Sequence, residues 1–441
     1  MKKFTKKQVR ILNNIRLYSM GIGLGFMLLM FLIGSLFFVR PKKSEVEKRE
    51  LTKFPKITLS SFMDGNYFSE ISLWYSDTFP MRDVFIKSNN NFKRLYGVES
   101  NTMMVGSGGV QDDIPTEKEN SDSNKTKEVV VPDQKTMDAE VQGQVMQSLY
   151  IEDGAAYGQY YFNQEAADTY INALNNAAKE LKETTKVWSL LVPQNSGALL
   201  SDATLEKLGG SDQGQAIEYY FNSYKNVEPI PVYDTLRKHR DEYLYFRTDH
   251  HWTMDGAYYA YKNFCKEKGF EAEKLSDFKK MEFSPFLGTY YNELHLAEME
   301  KNPDTVYAYV PNATNDMVYE ENGQKADWKI IQDVSDWDSS SGYYCFVAGD
   351  RQFAEIDNPK IADGSSVLVI KESYGNTFIP FLVDHYDKVY YMDFRYTPYN
   401  VIDFCKEHKV TDLIIENNIQ IAASTDVANK INDLLSEKKE D

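Results

Sequence analysis

Residues 366–370 read Ser-Val-Leu-Val-Ile, and this short apolar run is typical of a strand that is buried on both faces of a sheet. The rest of the C-terminal third alternates between helical and strand-like patterns in the same way. The predicted order is a helix at 376–385, a strand at 389–392, a helix at 398–407, a strand at 413–415 and a helix at 422–437. Short apolar strands that alternate with helices predict a parallel sheet flanked by helices on both faces, which is the α/β class.

The same alternation starts further upstream. A run rich in Ala and Asn predicts a helix at 166–183, and Val-Trp-Ser-Leu-Leu-Val at 187–192 predicts a buried strand that Pro193 ends. From about residue 141 onwards the composition is that of a globular protein, and roughly 300 residues suit one large domain or two small ones. We assign residues 141–441 to an α/β domain.

An apolar segment near the N-terminus predicts a transmembrane helix at 18–39. Residues 20–39 contain no charged residue, and twenty residues at helical rise match the hydrocarbon core of a bilayer, which is about 30 Å thick. A cleaved signal peptide is the alternative, but its apolar region would span about 7–15 residues and end in small residues. Here Phe37, Phe38 and Val39 end the run, so we predict a retained anchor.

Charge predicts the orientation of this anchor. Residues 1–17 contain six basic and no acidic residues, whereas the basic residues after the helix are mixed with glutamates. The positive-inside rule therefore predicts a cytoplasmic tail at 1–17 and an extracellular C-terminal domain, in a single-pass topology at the cell membrane. The whole chain has a net charge of −17, and residues 41–441 have −24 because residues 1–40 carry seven basic and no acidic residues. Such an acidic domain repels nucleic acid, so we expect no nucleic-acid partner.

Two segments connect the anchor to the α/β domain. Residues 40–106 contain a short extended part and then apolar residues at helical spacing, which predicts a juxtamembrane segment that packs on the extracellular domain. Most of the following stretch consists of Asp, Glu, Lys, Ser, Asn and Thr, with few large apolar residues. Such a composition buries too little surface to offset the entropy of ordering, so we predict a disordered linker or loop at 107–140.

The three cysteines, Cys265, Cys345 and Cys405, are far apart and show no Cys-x-x-Cys spacing. They form neither a disulfide framework nor a zinc site, and a buried structural thiol is the simpler interpretation of each. We expect no bound metal and no cofactor.

A pair of adjacent histidines marks a candidate catalytic segment. Residues 247–253 read Arg-Thr-Asp-His-His-Trp-Thr, and the aromatic residues before them favour an extended backbone. Residues two apart on such a backbone share a face, so Asp249 and His251 should point together, with His250 on the other side. A carboxylate beside an imidazole fixes its tautomer and stabilises its protonated form, as a general base requires. A metal site is the alternative, but no other cluster of ligands at suitable spacing supports it.

A candidate nucleophile follows the strand at 366–370. Open α/β sheets place their sites at the carboxyl ends of parallel strands, and Ser373 lies there, between that strand and the next helix. Free N–H groups at the start of the helix could stabilise an oxyanion. Asp249, His251 and Ser373 would then form a catalytic triad. The alternative is that Ser373 only caps the helix, which is the more frequent role of a serine in this position.

Several motifs resemble one protein family. Thr-Asp-His-His-Trp-Thr at 248–253, followed by Gly256 and Ala257, is similar to the "DHHW" proteins of Gram-positive bacteria. More distantly it resembles the alginate O-acetylation proteins of the SGNH hydrolase superfamily, whose motif is Asp-x-His-Trp. The resemblance covers most of residues 45–420. Further matching segments lie at 47–55, 75–82, 191–195, 371–381 and 391–395.

The resemblance implies a flavodoxin-like SGNH fold, permuted so that the Asp-His segment precedes the serine. It implies that Asp249, His251 and Ser373 are the triad. The implied supporting residues for the substrate or the oxyanion are Tyr374, Arg395 and Asn417. One departure is that the nucleophile block reads Lys371-Glu372-Ser373 where the superfamily has Gly-Asp-Ser.

The function that the resemblance implies is O-acetyl transfer onto a cell-surface polysaccharide. A multispanning membrane-bound O-acyltransferase partner is implied by analogy only. Two alternatives stay open at this stage. A carbohydrate acetylesterase would use the same triad with water as the acceptor. A catalytically inactive glycan-binding or assembly scaffold would be consistent with the altered Lys-Glu-Ser block.

Overall fold

The computed structural model describes residues 148–436 without a gap, and shorter pieces before them. These pieces are residues 25, 40, 43–44, 49–50, 53–57, 67, 71, 74–75, 78–80, 102–105, 110–115 and 126–128. The transmembrane helix predicted at 18–39 lies outside the described residues apart from Gly25. Among the described residues, no helix is long and apolar enough to span a bilayer. The chain divides into two compact units, 1–98 and 99–441.

The first unit contains a short antiparallel ladder, in which β1 (Lys43–Ser44) pairs with β2 (Arg49–Glu50). Residues 67, 71, 74 and 75 are helical. The Arg40 guanidinium donates to the Thr78 hydroxyl over 3.0 Å and lies 4.1 Å from the centre of the Trp74 ring.

The second unit consists of strands and helices in alternation. Its strands are β3 (Thr102–Val105), β4 (Val110–Asp112), β5 (Thr126–Glu128), β6 (Leu149–Glu152), β7 (Ala155–Gly158), β8 (Lys186–Val192), β9 (Val227–Pro229), β10 (Lys279–Phe286), β11 (Asp304–Val310), β12 (Asp316–Glu321), β13 (Gln324–Lys329), β14 (Phe353–Asp357), β15 (Ser366–Lys371), β16 (Lys388–Asp393) and β17 (Asp412–Asn418).

Its helices are α1 (Gln164–Glu180), α2 (Asn195–Leu199), α3 (Asp202–Leu208), α4 (Gln213–Ser223), α5 (Tyr233–Lys238), α6 (Met254–Lys268), α7 (Thr289–Leu294), α8 (Ala297–Lys301), α9 (Gly375–Phe378), α10 (Val401–His408), α11 (Ile419–Ala422) and α12 (Thr425–Leu434). Short 3₁₀ helices lie at Leu275–Asp277, Gly342–Cys345 and Ile379–His385.

An eight-stranded sheet forms the centre of the unit, in the order β13-β12-β14-β16-β15-β17-β8-β9. The strands from β16 to β9 run parallel, whereas β12, β13 and β14 extend one edge in antiparallel pairing. The fold is therefore mixed α/β with a large central sheet, and the prediction of a purely parallel sheet was wrong at this edge. Residues 316–321 and 324–329 are largely polar and only partly buried, so they lack the apolar run that marks a central strand.

Side chains of the central strands alternate between two apolar layers. In β15, Leu368 and Ile370 face the layer formed with α1, α4, α10 and α12. Val367 and Val369 face the opposite layer, which includes α6, β10 and β11. Helices thus cover both faces, as the sequence predicts. The helix predicted at 376–385 is instead α9 followed by a 3₁₀ helix, because Pro380 supplies no N–H for a continuous α-helix.

Part of the segment predicted as a disordered linker, 107–140, forms β structure. β4 pairs with β5, and the Asp112 N–H donates to the Phe162 carbonyl over 2.9 Å. The strand β3 pairs with β6, so residues 102–105 belong to the second unit and not to the predicted juxtamembrane segment. These strands are held by main-chain hydrogen bonds, which leave little trace in composition.

The three cysteines are buried free thiols, as predicted. Burial raises the pKa of the Cys265 thiol to about 12.

A buried carboxylate joins α6 to the sheet. Asp412, at the start of β17, accepts hydrogen bonds from the Lys268 ammonium at 2.7 Å to each oxygen and from the Trp188 indole at 2.8 Å. Because α6 directly follows the histidine segment, this cluster fixes the helix on which the candidate site depends.

Replacing Lys268 tests that connection. We expect Lys268→Ala to lower the free energy of unfolding by about 2 kcal/mol, because the buried Asp412 carboxylate loses its cation. Chemical denaturation of the full-length chain is the measurement. Lys266→Ala is the control, since Lys266 lies on the same helix with its side chain exposed, and should cost about 0.5 kcal/mol or less. Equal losses in the two variants would contradict this role.

Candidate active site

The candidate site lies at the carboxyl ends of three parallel strands. Lys371 ends β15 and Asn418 ends β17, while Pro193 follows β8. The Tyr245 hydroxyl donates to the Pro193 carbonyl over 2.6 Å, so the segment that carries the histidines is attached to the same edge. This is where open α/β sheets place ligands.

Asp249, His251 and Ser373 form a continuous hydrogen-bonded chain. His251 Nδ1 lies 2.5 Å from Asp249 Oδ1, and His251 Nε2 lies 2.7 Å from Ser373 Oγ. Asp249 and His251 are both buried. With its proton on Nδ1, the imidazole leaves Nε2 free to accept the serine hydroxyl proton. Asp249 and His251 lie at least 122 positions before Ser373 in the chain, yet the fold gives the three residues the geometry of a nucleophile, a base and an orienting acid.

The histidine segment is a tight turn and not the predicted extended strand. Asp249 Oδ1 also accepts the His251 main-chain N–H over 2.9 Å, and this local bond brings the two side chains together. The expectation that His250 lies on the opposite face was wrong, since the His250 and His251 rings are centred 3.8 Å apart. Two-residue alternation holds only for an extended backbone, and the turn removes it.

The second oxygen of Asp249 is held by the loop after β10. Asp249 Oδ2 accepts the Thr289 N–H over 2.8 Å and the Thr289 hydroxyl over 3.0 Å. The adjacent residue is Gly288, where an added Cβ would collide with the Asp249 side chain. Burial alone would raise the pKa of Asp249, but His251, His250 and these hydrogen bonds hold it well below its usual range. The carboxylate is therefore ionised and able to stabilise a protonated His251.

A second buried acid, Asp304 at the start of β11, holds the residues just before Asp249. Its Oδ2 accepts the Thr248 N–H and hydroxyl, both at 2.7 Å, and the Arg247 N–H at 3.0 Å. Thr248 in turn accepts the Gly288 N–H over 3.1 Å. No local pattern marks Asp304 as a site residue, because its partners lie more than 50 positions away in the chain.

Tyr343 is another residue that sequence reasoning missed. Its ring stacks on the His251 ring at 4.0 Å between centres and 10° between planes, and its hydroxyl donates to the Ser373 carbonyl over 2.8 Å. One side chain therefore limits the rotation of the base and positions the turn that carries the nucleophile.

The turn around Ser373 is closed by the Glu372 carboxylate. Glu372 Oε2 accepts the Tyr374 N–H over 3.0 Å, and Oε1 accepts the Asn418 N–H over 3.0 Å. The Ser373 hydroxyl lies 3.1 Å from Glu372 Oε2, so its single proton can go to Glu372 or to His251. Glu372 therefore has a structural role in the Lys371-Glu372-Ser373 block, because its carboxylate joins the serine turn to the end of β17.

The N–H groups expected to stabilise an oxyanion at the start of α9 are already occupied. Besides Tyr374, the Gly375 N–H donates to the Glu372 carbonyl at 3.1 Å and the Asn376 N–H to the Ser373 carbonyl at 3.3 Å. That expectation was therefore wrong, because the helix begins with a tight turn that uses its own donors.

Lys371, the first residue of the unusual block, is fully buried among acceptors. Its ammonium donates to Asn376 Oδ1 at 2.6 Å, to the Gly349 carbonyl at 3.2 Å and to Asp350 at 3.1 Å. Asp393 lies 3.6 Å away. The buried charge is thus compensated, as a buried cation requires.

The predicted supporting residues have different surroundings. The Tyr374 hydroxyl donates to the His250 carbonyl, so Tyr374 ties the serine turn to the histidine segment. Arg395 pairs with Asp350 at 2.8 Å, which is itself bound to Lys371. Asn417 points to the helical layer instead, where it accepts the Tyr170 hydroxyl over 2.9 Å.

The next residue, Asn418, was not predicted but lies closer to the nucleophile. Its main-chain N–H shares the Glu372 carboxylate with the Ser373 hydroxyl. Its side chain is buried, and within the described part of the chain Asn418 Nδ2 has no hydrogen-bond partner. Asn418 therefore has a buried donor whose hydrogen bonds are not satisfied.

One group of potential metal ligands occurs among the described residues, namely Asp249, His250 and His251. Both ring nitrogens of His251 already contact Asp249 and Ser373, and His250 Nδ1 contacts the Thr289 hydroxyl at 2.7 Å. The arrangement therefore suits proton transfer better than metal coordination.

The chain matches the family described as "DHHW protein" over residues 47–137 and 121–392. A DHHW family protein from Eubacterium siraeum is 26% identical, with a TM-score of 0.58 over 66% of this chain and 96% of that one. Bacillus cereus PatB1, solved with a sulfonyl adduct, is 17% identical, with a TM-score of 0.56 over 65% of this chain and 99% of that one.

The O-acetyltransferase domain of Pseudomonas putida AlgJ is more distant, at 11% identity and a TM-score of 0.35 over 66% of this chain and 98% of that one. A comparison with curated proteins gave no match.

Gly288 offers a test of how Asp249 is positioned. We expect Gly288→Ala to displace Asp249 and to slow the reaction of Ser373 with a sulfonyl fluoride about 100-fold, since an error of about 1 Å in a catalytic group has such an effect. Thr289→Val, which removes one hydrogen bond but keeps the N–H, should cause a smaller loss. Thermal unfolding of both variants checks that they fold. An unchanged labelling rate in folded Gly288→Ala would refute the constraint.

His250 should stay neutral far below the usual histidine range. Desolvation and the neighbouring His251 charge lower the pKa of His250 to about 4. Acidification of the protein should therefore protonate His250 only as the pH falls through about 4. Nuclear magnetic resonance of ¹⁵N-labelled histidine, assigned with a His250→Gln variant, measures this titration. A midpoint near 6.5 for His250 would show that the site is more hydrated than its geometry implies.

Proposed function

The chain belongs to the DHHW protein family, and from that premise we propose that it is an O-acetyltransferase acting on a cell-surface polysaccharide. The single observation that carries the proposal is the hydrogen-bonded chain of Asp249, His251 and Ser373. A buried ionised acid, a histidine and a serine in this order are the groups that acyl transfer requires.

The proposed reaction has two half-reactions. His251 Nε2 takes the Ser373 hydroxyl proton while the serine oxygen attacks the acetyl carbonyl of the donor. The donor then leaves with that proton, and an acetyl-serine ester remains. In the second half, His251 takes the proton of a sugar hydroxyl, which attacks the ester and carries away the acetyl group. The proton returns to Ser373, and Asp249 stabilises the protonated histidine in both halves.

Each half-reaction passes through an oxyanion that needs donors. The N–H groups of Tyr374 to Asn376 are engaged within the turn. We assign the role to the unpartnered Asn418 side-chain amide, which lies next to the carboxylate that contacts Ser373. Asn417, the residue expected from the resemblance, also has an unpartnered Nδ2, but its side chain lies in the helical layer, where its Oδ1 accepts the Tyr170 hydroxyl.

The predicted membrane helix at 18–39 completes this proposal. An extracellular domain on a single-pass anchor would be held beside a membrane-bound O-acyltransferase that passes acetyl groups outward. Tethering would raise its effective concentration near such a partner. The topology rests on the uncharged segment and on the basic residues before it.

Two alternatives use the same domain differently. An acetylesterase would transfer the acetyl group from Ser373 to water. An inactive scaffold was favoured by the altered block, but Lys371 and Glu372 are well accommodated, and Ser373 keeps its contact with His251. These contacts favour catalysis over the scaffold.

Ser373→Ala provides the decisive test. We expect the full-length chain to lose at least about 1000-fold of its rate with p-nitrophenyl acetate, as serine enzymes do without their nucleophile. A sulfonyl fluoride should label Ser373 of the unmodified chain, as shown by mass spectrometry. Ser276→Ala, on the exposed surface, is the matched control and should behave as the unmodified chain.

Adding a sugar acceptor separates the candidates. Acetylated sugar as the product supports the transferase, whereas acetate alone with every acceptor supports the esterase. Absence of both activity and labelling at Ser373 would leave the scaffold. In cells, acetylation of the surface glycan that persists in Ser373→Ala would refute the catalytic proposal.

A further inference from the structure

Two aromatic side chains near the candidate site are unusually exposed. Tyr344 is 57% exposed and Tyr396 is 51% exposed, whereas most of the large aromatic residues of the second unit are buried. An exposed aromatic ring next to a reactive centre offers an apolar face to a ligand.

A chain of contacts links the two rings across the surface. The Tyr344 ring covers Gly349, since a Cβ placed there would lie 3.5 Å from it. The next residue, Asp350, pairs with Arg395 at 2.8 Å. The Arg395 guanidinium in turn lies 5.2 Å from the centre of the Tyr396 ring. We call these five residues the tyrosine strip.

The strip adjoins the nucleophile at two points. Tyr343, the neighbour of Tyr344, donates to the Ser373 carbonyl over 2.8 Å. Asp350 accepts the Asn376 side-chain amide over 3.1 Å, and Asn376 lies in the helix that follows Ser373. A ligand bound along the strip would thus lie next to the serine.

The charges in and under the strip cancel. Arg395 contacts Asp350 and Asp393, at 2.8 Å and 2.6 Å. Lys371 contacts the same two carboxylates from below, at 3.1 Å and 3.6 Å. Two cations therefore balance two anions, and neither Arg395 nor Lys371 is left to pair with a phosphate or a uronate. The net charge of −17 of the chain also repels polyanions.

We propose that the tyrosine strip is the acceptor subsite and that the acceptor is an uncharged saccharide. This inference rests on the proposed function and names the substrate class of the same site. The faces of Tyr344 and Tyr396 would stack on the apolar faces of sugar rings. Asp350 and Arg395 would accept from and donate to sugar hydroxyls.

The experiment compares two acceptors of equal length. One is the neutral N-acetylated tetramer of glucosamine, here called chitotetraose, and the other is anionic tetragalacturonate. The acetyl donor is p-nitrophenyl acetate, and the enzyme is the full-length chain. We expect acetylation of chitotetraose and little of tetragalacturonate. Tyr344→Ala and Tyr396→Ala should each raise the KM for chitotetraose about threefold to tenfold, which is the range expected for loss of one aromatic contact.

Further variants separate stacking from damage to the fold. Tyr344→Phe and Tyr396→Phe keep the ring and should retain most of the acceptor affinity, whereas Tyr396→Leu keeps apolar bulk without a ring face and should not. Trp337→Ala is the matched control, because Trp337 is 45% exposed and is not part of the strip. Release of p-nitrophenolate is recorded in every reaction, so that loss of Ser373 reactivity is seen separately.

Several outcomes would overturn the subsite. These are an unchanged KM in both alanine variants, an equal effect of Trp337→Ala, or a preference for tetragalacturonate. If only acetate forms, the transferase proposal fails by itself. The strip is then tested through the KM for hydrolysis of O-acetylated chitotetraose, with the same expected order of variants.

Discussion

The Asp249 carboxylate must remain ionised in a buried position, and much of the site is arranged around that requirement. An unpaired buried charge costs several kcal/mol, so each oxygen needs donors that cannot move away. His251 supplies two of them from the same turn, and Thr289 supplies two more from a different loop. The glycine at position 288 leaves the space for this approach. As a result, Nδ1 of the His251 imidazole is held by Asp249 as a donor, and Nε2 is held by Ser373 as an acceptor.

The supporting layer comes largely from chain that is inserted between α6 and the remaining sheet strands. The hairpin of β10 and β11 flanks the loop that contains Thr289, and Asp304 begins β11. Asp304 holds the residues before Asp249, so the hairpin anchors both sides of the acid. A rigid support of this kind is what keeps catalytic groups within the tolerance that proton transfer allows. The central sheet carries the serine, and the insertion supports the acid and base against it.

The Lys-Glu-Ser block differs from the Gly-Asp-Ser of the superfamily that the sequence resembles, but its contacts are structurally consistent. The Glu372 carboxylate spans the serine turn and the end of β17. Lys371 is buried, but Asp350 and Asp393 compensate its charge. The same two acids bind Arg395, so the charges behind the nucleophile and at the surface form one balanced network. Through this network, the Lys371-Glu372-Ser373 block is connected to the surface at which we propose that the acceptor binds.

The sequence by itself determined the central parallel strands, the helix after Thr253 and the three residues that we propose as the triad. These features depend on local periodicity, capping and motif, which neighbouring residues in the chain encode. Only the tertiary structure decided the antiparallel edge and the support by Asp304 and Tyr343, and it is the basis on which we propose Asn418 in place of Asn417. Those features depend on contacts between residues far apart in the chain, and their polar partners carry no periodic signal. His250 shows the same limit, because one side-chain hydrogen bond turned an expected strand into a turn.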